Sequence, residues 1–408
     1  ENGLLCERLL EDKKVTLSVP LPAVVTVSGG YLLRPPSIAG MRAAKEKQVK
    51  LLTAEMLGIP PELAGTRGSA TQVRRVWPAE APLRHCRIYR DISEGADAVI
   101  EFLQKDRVRE VSERVTPAAP ADGTAVVVSL SSDALSKRCA PELMTAAKSV
   151  YRNAVPVLLE DAGGDDVSAA TALCGYIEAE KPDCVLFPAT VRGRAVAPLS
   201  AAMLGIGLTA DCTGLEPDGA GGVSMIRPTF GGSVMAEVIC RTKPAMASVR
   251  PGVFEPDADM PEAVRISVPE GGVKRISESA AEVPALDIGV KIIVSGGRGV
   301  GKKENFEKLG ALALMLGGVL TGSRQAVDGG FLPYPRQVGQ TGATVRPDFY
   351  IACGISGTVQ HMAGVRTAGV VAVNSDPKAR IFDYAEIGIV GDCMEFADIL
   401  INKLSAGG

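Results

Sequence analysis

Residues 291–392 alternate short apolar runs with glycine-rich polar segments, and this alternation limits the possible folds more than any other feature of the chain. Runs such as Phe349–Cys353 have the length and composition of a strand that is buried on both faces. Segments with helical character separate the runs, as in units where helices connect parallel strands. The pattern therefore predicts five strands with crossover helices in a doubly wound parallel sheet. Ligands of such sheets bind outside the carboxyl ends of the strands, so we expect the functional site here.

The middle of the chain shows the same alternation and predicts a second α/β domain. It begins with the buried run Ala125–Leu130, and a helix is predicted over Pro141–Tyr151. After residue 209 the pattern changes to stretches that predict an antiparallel addition. These are Val223–Arg227, Ser233–Cys240 and Ala245–Val249. Residues 256–284, rich in Pro and Glu, predict one strand and then a connector that acts as a hinge before a mobile last domain.

The first hundred residues show little periodicity. Helices are predicted over Gly40–Leu52 and Ala96–Lys105, but too few apolar residues alternate there for an independent core. We therefore expect this irregular segment to lie against another domain or subunit. A stretch with linker composition, Thr116–Gly123, follows it. The predicted domains are residues 1–115, 116–285 and 286–408.

Composition excludes several classes of protein. A formal net charge of −3 gives no basic field for nucleic acid, and no apolar run reaches the roughly 18 residues needed for membrane insertion. The nine cysteines are scattered without a C-x-x-C pair, and there are only two histidines, so we expect neither disulfides nor a metal site. The cysteines favour a reducing compartment, either the cytoplasm or the mitochondrial matrix of a eukaryote. The chain starts at Glu1 without an initiator Met, so we expect a processed or partial chain.

Six polar segments follow the predicted strands of the last domain and are the candidate site. They are Ser295-Gly296-Gly297-Arg298-Gly299, Gly322-Ser323-Arg324, Gln337-Val338-Gly339-Gln340-Thr341-Gly342, Gly354-Ile355-Ser356-Gly357, Gln360-His361 and Asn374-Ser375-Asp376. Glycine lets backbone N–H groups approach a phosphate or a ring closely, and arginine adds a permanent cation. The absence of G-x-G-x-x-G argues against a standard NAD site. Residues 298–303 also lack the Ser or Thr hydroxyl of a P-loop.

These segments, together with Ile389–Asp392, resemble the FAD-binding domain of the electron transfer flavoprotein α subunit. The middle of the chain is similar to the amino-terminal domain of the same subunit at Leu186–Thr190, Leu208–Gly214, Arg227–Gly232 and Val249–Gly252. The first segment resembles something else, the carboxyl-terminal part of the β subunit. The matching stretches are Leu21–Val27, Ile38–Lys47 and Gly68–Thr71. The resemblance implies a β–α fusion that lacks the nucleotide-binding domain of the β subunit.

The resemblance assigns the flavin ring to a few residues. It places Arg298 over the isoalloxazine, where positive charge favours the reduced anionic flavin. It places His361 at the pyrimidine end, where it helps to stabilise the anionic semiquinone. Ser323 and Arg324 are assigned to the flavin and its phosphates, and Thr341 to a hydrogen bond with flavin N5. From the residues alone, Ser323 could equally be an ordinary helix cap, and His361 a structural histidine.

The rest of the cofactor is assigned in the same way. Gln337 and Gln340 line the ribityl and pyrophosphate path, and a helix N-terminus at Ser356 offers N–H groups to the pyrophosphate. The other members of these segments, Gly299, Val338, Gly339, Gly342, Gly354, Ile355, Gly357 and Gln360, complete the expected contacts. Asn374, Asp376 and Asp392 are assigned to the adenosine half. For these three residues a simple role in turns stays open.

The resemblance implies an electron carrier rather than a conventional enzyme. Its FAD would accept electrons from flavoprotein dehydrogenases of the acyl-CoA dehydrogenase type and pass them to an acceptor such as a quinone oxidoreductase, as in fatty acid β-oxidation. One alternative is a bifurcating flavoprotein that uses NADH, with a second FAD on the β portion. The missing β domain, where it is present elsewhere, would hold an AMP or that second FAD. Another is an assembly subunit without flavin.

Overall fold

A computed structural model of the chain describes residues 3–27, 35–78, 85–104, 119–161, 165–232, 234–283, 286, 289–367 and 369–406. The described strands form two six-stranded sheets, one four-stranded sheet and one three-stranded sheet. Among these residues, no helix is long and apolar enough to cross a membrane, and no cluster of His, Cys, Asp or Glu could hold a metal ion. Residues 116–118 of the predicted linker Thr116–Gly123 lie outside the described residues.

The N-terminal part forms small elements. They are β1 (Gly3–Leu9), β2 (Lys13–Pro20), α1 (Ile38–Glu46), α2 (Gly65–Gly68), β3 (Thr71–Pro78), β4 (Arg87–Tyr89) and α3 (Ile92–Leu103). Helix α1 buries none of its residues. Helix α3 is amphipathic and is capped by Asp91, whose carboxylate accepts the N–H groups of Ser93 and Glu94.

The middle part is built around a parallel sheet. Its elements are β5 (Ala121–Leu130), α4 (Ala134–Lys148), β6 (Tyr151–Glu160), α5 (Asp166–Glu180), β7 (Cys184–Pro188), α6 (Gly193–Leu204), β8 (Leu208–Cys212), β9 (Gly214–Pro217), β10 (Val223–Thr229), β11 (Val234–Cys240), β12 (Ala245–Val249), β13 (Val264–Ser267) and β14 (Lys274–Ala280). Six of the strands form the sheet in the order β13-β6-β5-β7-β12-β8, and all their pairings are parallel. The predicted second α/β domain is therefore present.

Three details of the prediction for this part are wrong. Strand Ala245–Val249 is not antiparallel, because β12 lies in parallel between β7 and β8 and is buried along its whole length. Helix α4 begins at Ala134, so Pro141 lies inside the helix rather than at its start. Residues 256–284 contain two strands, β13 and β14, instead of one.

The last part carries the sheet predicted to hold the site. Its elements are β15 (Ile292–Gly296), α7 (Lys303–Met315), β16 (Val319–Gly322), α8 (Arg324–Asp328), β17 (Phe349–Cys353), α9 (Val359–Met362), β18 (Gly369–Asn374), β19 (Ile387–Val390) and α10 (Cys393–Ala406). The strand order is β16-β15-β17-β18-β19-β4, and all pairings are parallel. Strand β16, which follows β15 in the chain, lies beside one edge of β15, and strand β17 lies beside its other edge. The crevice between the carboxyl ends of these two strands is the topological switch point.

The first segment lies against both α/β parts, as the lack of an independent core suggested. Strand β2 pairs with β14, and β3 pairs with β11, in antiparallel ladders. Strand β4 adds a sixth strand beside β19, and α3 covers it. The buried side chains Ala96, Val99 and Phe102 of α3 join the core on one face of the last sheet. The last domain is therefore completed by residues from the start of the chain.

Candidate functional site

The loops after β15 and β17 cross each other at backbone distance. The Gly297 N–H donates to the Cys353 carbonyl at 2.8 Å, and the Gly299 N–H donates to the Gly354 carbonyl at 3.0 Å. A Cβ at Gly297 would lie 2.2 Å from the Gly354 oxygen, and Gly354 itself has a φ of +63°. Only glycines allow this crossing. The two loops are therefore packed backbone against backbone at the switch point.

Two exposed arginines flank this crossing. Arg298 begins a 3₁₀ turn directly after β15, and no hydrogen bond or ion pair joins its side chain to another described residue. Arg324 is the first residue of α8 and pairs with Asp328 at 3.3 Å, in water-exposed surroundings. Ser323 caps α8, since its hydroxyl accepts from the Ala326 N–H. The structure therefore puts two cations at this edge of the sheet.

The loop after residue 336 is tied to both neighbouring loops. The Val338 N–H donates to the Gly322 carbonyl at 2.9 Å, and the Gln340 N–H donates to the Gln360 carbonyl at 2.8 Å. The predicted segments are thus brought together in one wall, although they are spread over about forty residues of sequence. Gly339 and Gly342 pack against backbone, so both positions need the absence of a side chain.

Within this loop, Gln337 and Thr341 face each other. Gln337 is buried, and its Nε2 donates to the Thr341 hydroxyl oxygen at 2.9 Å. Thr341 is exposed and keeps its own hydroxyl hydrogen, which makes it a potential donor to a ligand. The Tyr334 hydroxyl holds the Thr341 carbonyl at 2.8 Å. Gln337 therefore orients Thr341.

The segment from Gly354 to His361 differs from the expected helix N-terminus. Helix α9 has a single turn, so individual N–H groups and not a helix dipole would have to hold an anion. Ser356 and Gln360 are exposed, whereas Ile355 is buried. Gly357 has a φ of +80°, and a Cβ there would lie 2.2 Å from the Ile381 nitrogen.

His361 is buried beneath this segment, with 6% of its surface exposed. Its Nε2 lies 2.8 Å from the Tyr350 hydroxyl. Burial lowers the pKa of His361 to about 4, so the imidazole is neutral at pH 7. A backbone group of Val338 lies near enough to raise the pKa slightly, yet Nδ1 has no partner at hydrogen-bonding geometry among the described residues. A buried nitrogen without a partner is a candidate for a hydrogen bond with a ligand.

The residues assigned to the adenosine half make local hydrogen bonds. Asn374 ends β18 and joins the Ile355 carbonyl through Nδ2 at 2.9 Å, while its Oδ1 accepts the Asp376 N–H. Asp392 accepts the N–H groups of Met394 and Glu395 at the start of α10. Asp376 and Asp392 thus act as turn and cap residues in the structure. Asn374 connects two loops of the site.

Neither Tyr350 nor strand β4 stands out in the sequence as part of a site. Within Phe349–Cys353 a tyrosine resembles any other core aromatic residue. A signal was nevertheless present, because a buried histidine needs a polar partner, and Tyr350 lies on the adjoining strand. Strand β4 has three residues without periodicity, so no local pattern could have predicted its place in a sheet.

Two protein-family models match the chain. The model described as the electron transfer flavoprotein FAD-binding domain matches residues 289–366, a range that contains the glycine crossing and His361. The model described as the electron transfer flavoprotein domain matches residues 109–280. The two ranges correspond to the last and the middle α/β parts.

Several curated proteins are similar to this chain. It is 43% identical to the electron transfer flavoprotein subunit alpha of Thermoanaerobacterium thermosaccharolyticum, over 58% of this chain and 74% of that protein. It is 42% identical to the subunit of the same name from Clostridium acetobutylicum, over 58% and 75% of the two chains. It is 38% identical to the acryloyl-CoA reductase electron transfer subunit beta of Anaerotignum propionicum, over 58% and 76%.

Proposed function

Because the chain belongs to the electron transfer flavoprotein α-subunit family, we propose that its FAD takes electrons from flavoprotein dehydrogenases and passes them to a downstream acceptor. The observation that carries this proposal is the glycine crossing of Gly297, Gly299 and Gly354 at the switch point of the last sheet. The glycines let the two loops pack together without side chains between them, at the place where ligands of such sheets bind.

The described residues fit FAD in chemical terms. FAD supplies a ring that takes up and releases one or two electrons, while the protein supplies placement and electrostatics. Arg298 and Arg324 provide positive charge at the edge of the crevice, which favours the reduced, negatively charged ring. Thr341 and the neutral His361 offer donors to ring atoms. Ser356 and Gln360 are exposed polar groups on the path assigned to the pyrophosphate.

The donors and the acceptor are proposed by analogy with relatives. The name of the acryloyl-CoA reductase electron transfer subunit beta connects that relative with an enzyme that acts on an acyl-CoA. We therefore place dehydrogenases of the acyl-CoA dehydrogenase type upstream, as in β-oxidation, and a quinone oxidoreductase downstream. All nine cysteines are free, which supports the cytoplasm or the mitochondrial matrix as its compartment.

The N-terminal segment is proposed to be the β-subunit part of the same assembly. Its resemblance to the end of a β subunit is supported by packing, because β4 and α3 complete the last sheet instead of forming a core of their own. A β-type nucleotide-binding domain is the expected partner, on this polypeptide or on another one. The domain boundaries at about 115 and 285, and a hinge before Lys291, stay predictions.

The test is the cofactor itself. The purified protein should be yellow and release about one FAD per chain on denaturation, with reduction by an acyl-CoA dehydrogenase and its substrate. A colourless protein that cannot be reconstituted with FAD would refute the proposal. A yellow protein that no such dehydrogenase reduces would retain the cofactor assignment and refute the proposed donors.

A further inference from the structure

Four buried polar side chains form a line beneath the loops of the site. Ser295, Thr321 and Tyr350 have no exposed surface, and His361 is 6% exposed. Ser295 and Thr321 are opposite each other on β15 and β16. Tyr350 on β17 is opposite Ile293, which precedes Ser295 by two positions. Because side chains alternate along a strand, the three polar strand residues project from the same face of the sheet.

The surroundings of this line are apolar. The neighbouring buried side chains include Ile293, Val338, Val345, Ile355 and Met362. A polar group in such a core costs free energy unless it is hydrogen-bonded. Each polar hydrogen of the line therefore has few hydrogen-bond acceptors within reach. Among the described residues, the contact of this line that has full hydrogen-bond geometry joins the Tyr350 hydroxyl to His361 Nε2 at 2.8 Å.

The direction of that hydrogen bond follows from the neighbours of the phenol. Burial raises the pKa of Tyr350, whereas the Ser295 and Thr321 hydroxyls lower it. A neighbour that lowers the pKa of a phenol does so by donating to its oxygen. Ser295 and Thr321 project from the same face of the sheet as Tyr350, and neither hydroxyl has a partner at hydrogen-bonding geometry in the described part of the chain. The phenol hydrogen is then directed to Nε2 of His361.

The ring of His361 carries one hydrogen, because the imidazole is neutral at pH 7. If Nε2 accepts from Tyr350, that hydrogen is on Nδ1. Nδ1 nevertheless has no partner at hydrogen-bonding geometry in the described part of the chain.

We propose that Tyr350 is a positioning residue that holds His361 in the Nδ1–H tautomer. The Nδ1–H is then the donor that His361 offers to a bound flavin ring. This inference rests on the proposed FAD site. A tyrosine that merely filled the core would leave the tautomer of His361 unaffected by loss of its hydroxyl.

The tautomer can be measured without any cofactor. In flavin-free protein labelled with ¹⁵N-histidine, the two-bond couplings distinguish a protonated ring nitrogen from a bare one. The chain has only two histidines, so a His85→Gln variant assigns both sets of signals. We expect Nδ1 of His361 to be protonated, and Tyr350→Phe to shift the population toward the Nε2–H form. Tyr384→Phe is the control, since Tyr384 lies in the same buried cluster and has no contact with His361 among the described hydrogen bonds.

A second measurement connects the tautomer to the cofactor. Loss of one net hydrogen bond should raise the Kd for FAD about fivefold in Tyr350→Phe, and leave it unchanged in Tyr384→Phe. A wild-type His361 protonated on Nε2, or a Tyr350→Phe variant with an unchanged tautomer, would overturn the inference. If Tyr350→Phe does not fold, Thr321→Val and Ser295→Ala should each shift the tautomer partly, and an unchanged tautomer in both would also overturn it.

The outcomes separate this inference from the proposed function. The expected tautomer in a protein that never binds FAD would refute the flavin site and leave the role of Tyr350 in orienting His361. A different tautomer in a protein that binds FAD normally would refute the inference alone.

Discussion

The ring of Phe102 lies edge-on to the ring of Phe349, with 5.4 Å between the centroids and 67° between the planes. Phe102 comes from α3 near the start of the chain, whereas Phe349 begins β17 at the centre of the last sheet. Phe102 is 3% exposed. A helix from the N-terminal segment is therefore part of the core that supports the site.

The Phe102→Ala variant should lose about 3–5 kcal/mol of unfolding free energy, because it opens a cavity and removes an aromatic contact. Urea unfolding followed by circular dichroism measures the loss. Leu314→Ala, on the exposed side of α7, is the control and should change stability by less than about 0.5 kcal/mol. Equal stability of the two variants would mean that α3 contributes little to this core.

Gly354 offers a test of the glycine crossing, with Gly317 as a matched control. Both have a positive φ, at +63° and +67°, so alanine strains both backbones alike. A Cβ at Gly354 would lie 2.8 Å from the Gly299 carbonyl carbon, whereas a Cβ at Gly317 would meet nothing within 4 Å. We expect Gly354→Ala to raise the Kd for FAD at least tenfold and Gly317→Ala to leave it unchanged. Equal FAD affinity in both variants would show that the crossing does not shape the site.

Arg298 and Arg324 should each raise the midpoint potential of the bound flavin. Replacing either arginine with Gln removes a positive charge beside the ring. The reduced ring should then lose roughly 1 kcal/mol of electrostatic stabilisation, which lowers the midpoint potential by about 40 mV for one electron. Spectroelectrochemical titration measures the shift. Arg265→Gln, at an exposed ion pair in the middle sheet, is the control. The larger of the two shifts identifies the cation closer to the ring, and no shift in either variant would contradict a role for these charges.

His361 should make the flavin-free protein less stable in acid. Its pKa is lowered to about 4 in the folded state from the ordinary 6.5. Below pH 6.5 His361 therefore binds a proton in the unfolded chain, whereas in the folded protein it binds that proton only below about pH 4. Stability from this neutral group is complete above pH 6.5 and is lost as the pH falls to 4, by roughly 3 kcal/mol. The unfolding free energy of His361→Asn should depend less on pH over this range, whereas exposed His85→Asn should follow the wild type.

The elements of the fold and of the site that could be predicted from the sequence are those with a local sequence pattern. The runs that became β15, β17 and β19 were recognisable because strands buried on both faces are apolar throughout, and the polar segments that follow them mark the carboxyl edge. The match of these segments to a flavoprotein family then identified the cofactor. Most of the loops that form the candidate site could therefore be predicted from the sequence.

The rest depended on contacts between distant residues. Strand β4 pairs with β19 across about 300 residues, and its three residues carry no periodic signal. Strand β12 follows two antiparallel strands, so the local pattern favoured a third one, and only its complete burial explains a place between parallel neighbours. The hydrogen bond from Tyr350 to His361 required knowledge of which face of the sheet Tyr350 projects from, and that α9 places His361 over that face.

Arg192 provides a test of the middle domain that is independent of the flavin. Its guanidinium is 1% exposed and pairs with Asp161 and with Asp166, at 2.7 Å from the latter. Arg8 of β1 also pairs with Asp166 at 2.7 Å, so the network ties the N-terminal hairpin to the sheet. Burial would raise the pKa of Asp161, but Arg192 outweighs it and holds that pKa low.

The Arg192→Ala variant should lose about 3–5 kcal/mol of unfolding free energy, because it leaves the buried carboxylate of Asp161 without its cation. Replacing both partners, as in Arg192→Met with Asp161→Leu, should cost less than the single change, since no buried charge is then left unpaired at that position. Arg265→Ala removes an arginine from an exposed pair with Glu160 and should cost less than about 1 kcal/mol. If the double variant were less stable than Arg192→Ala, the ion pair would stabilise the fold by its own attraction, and the desolvation argument would be wrong.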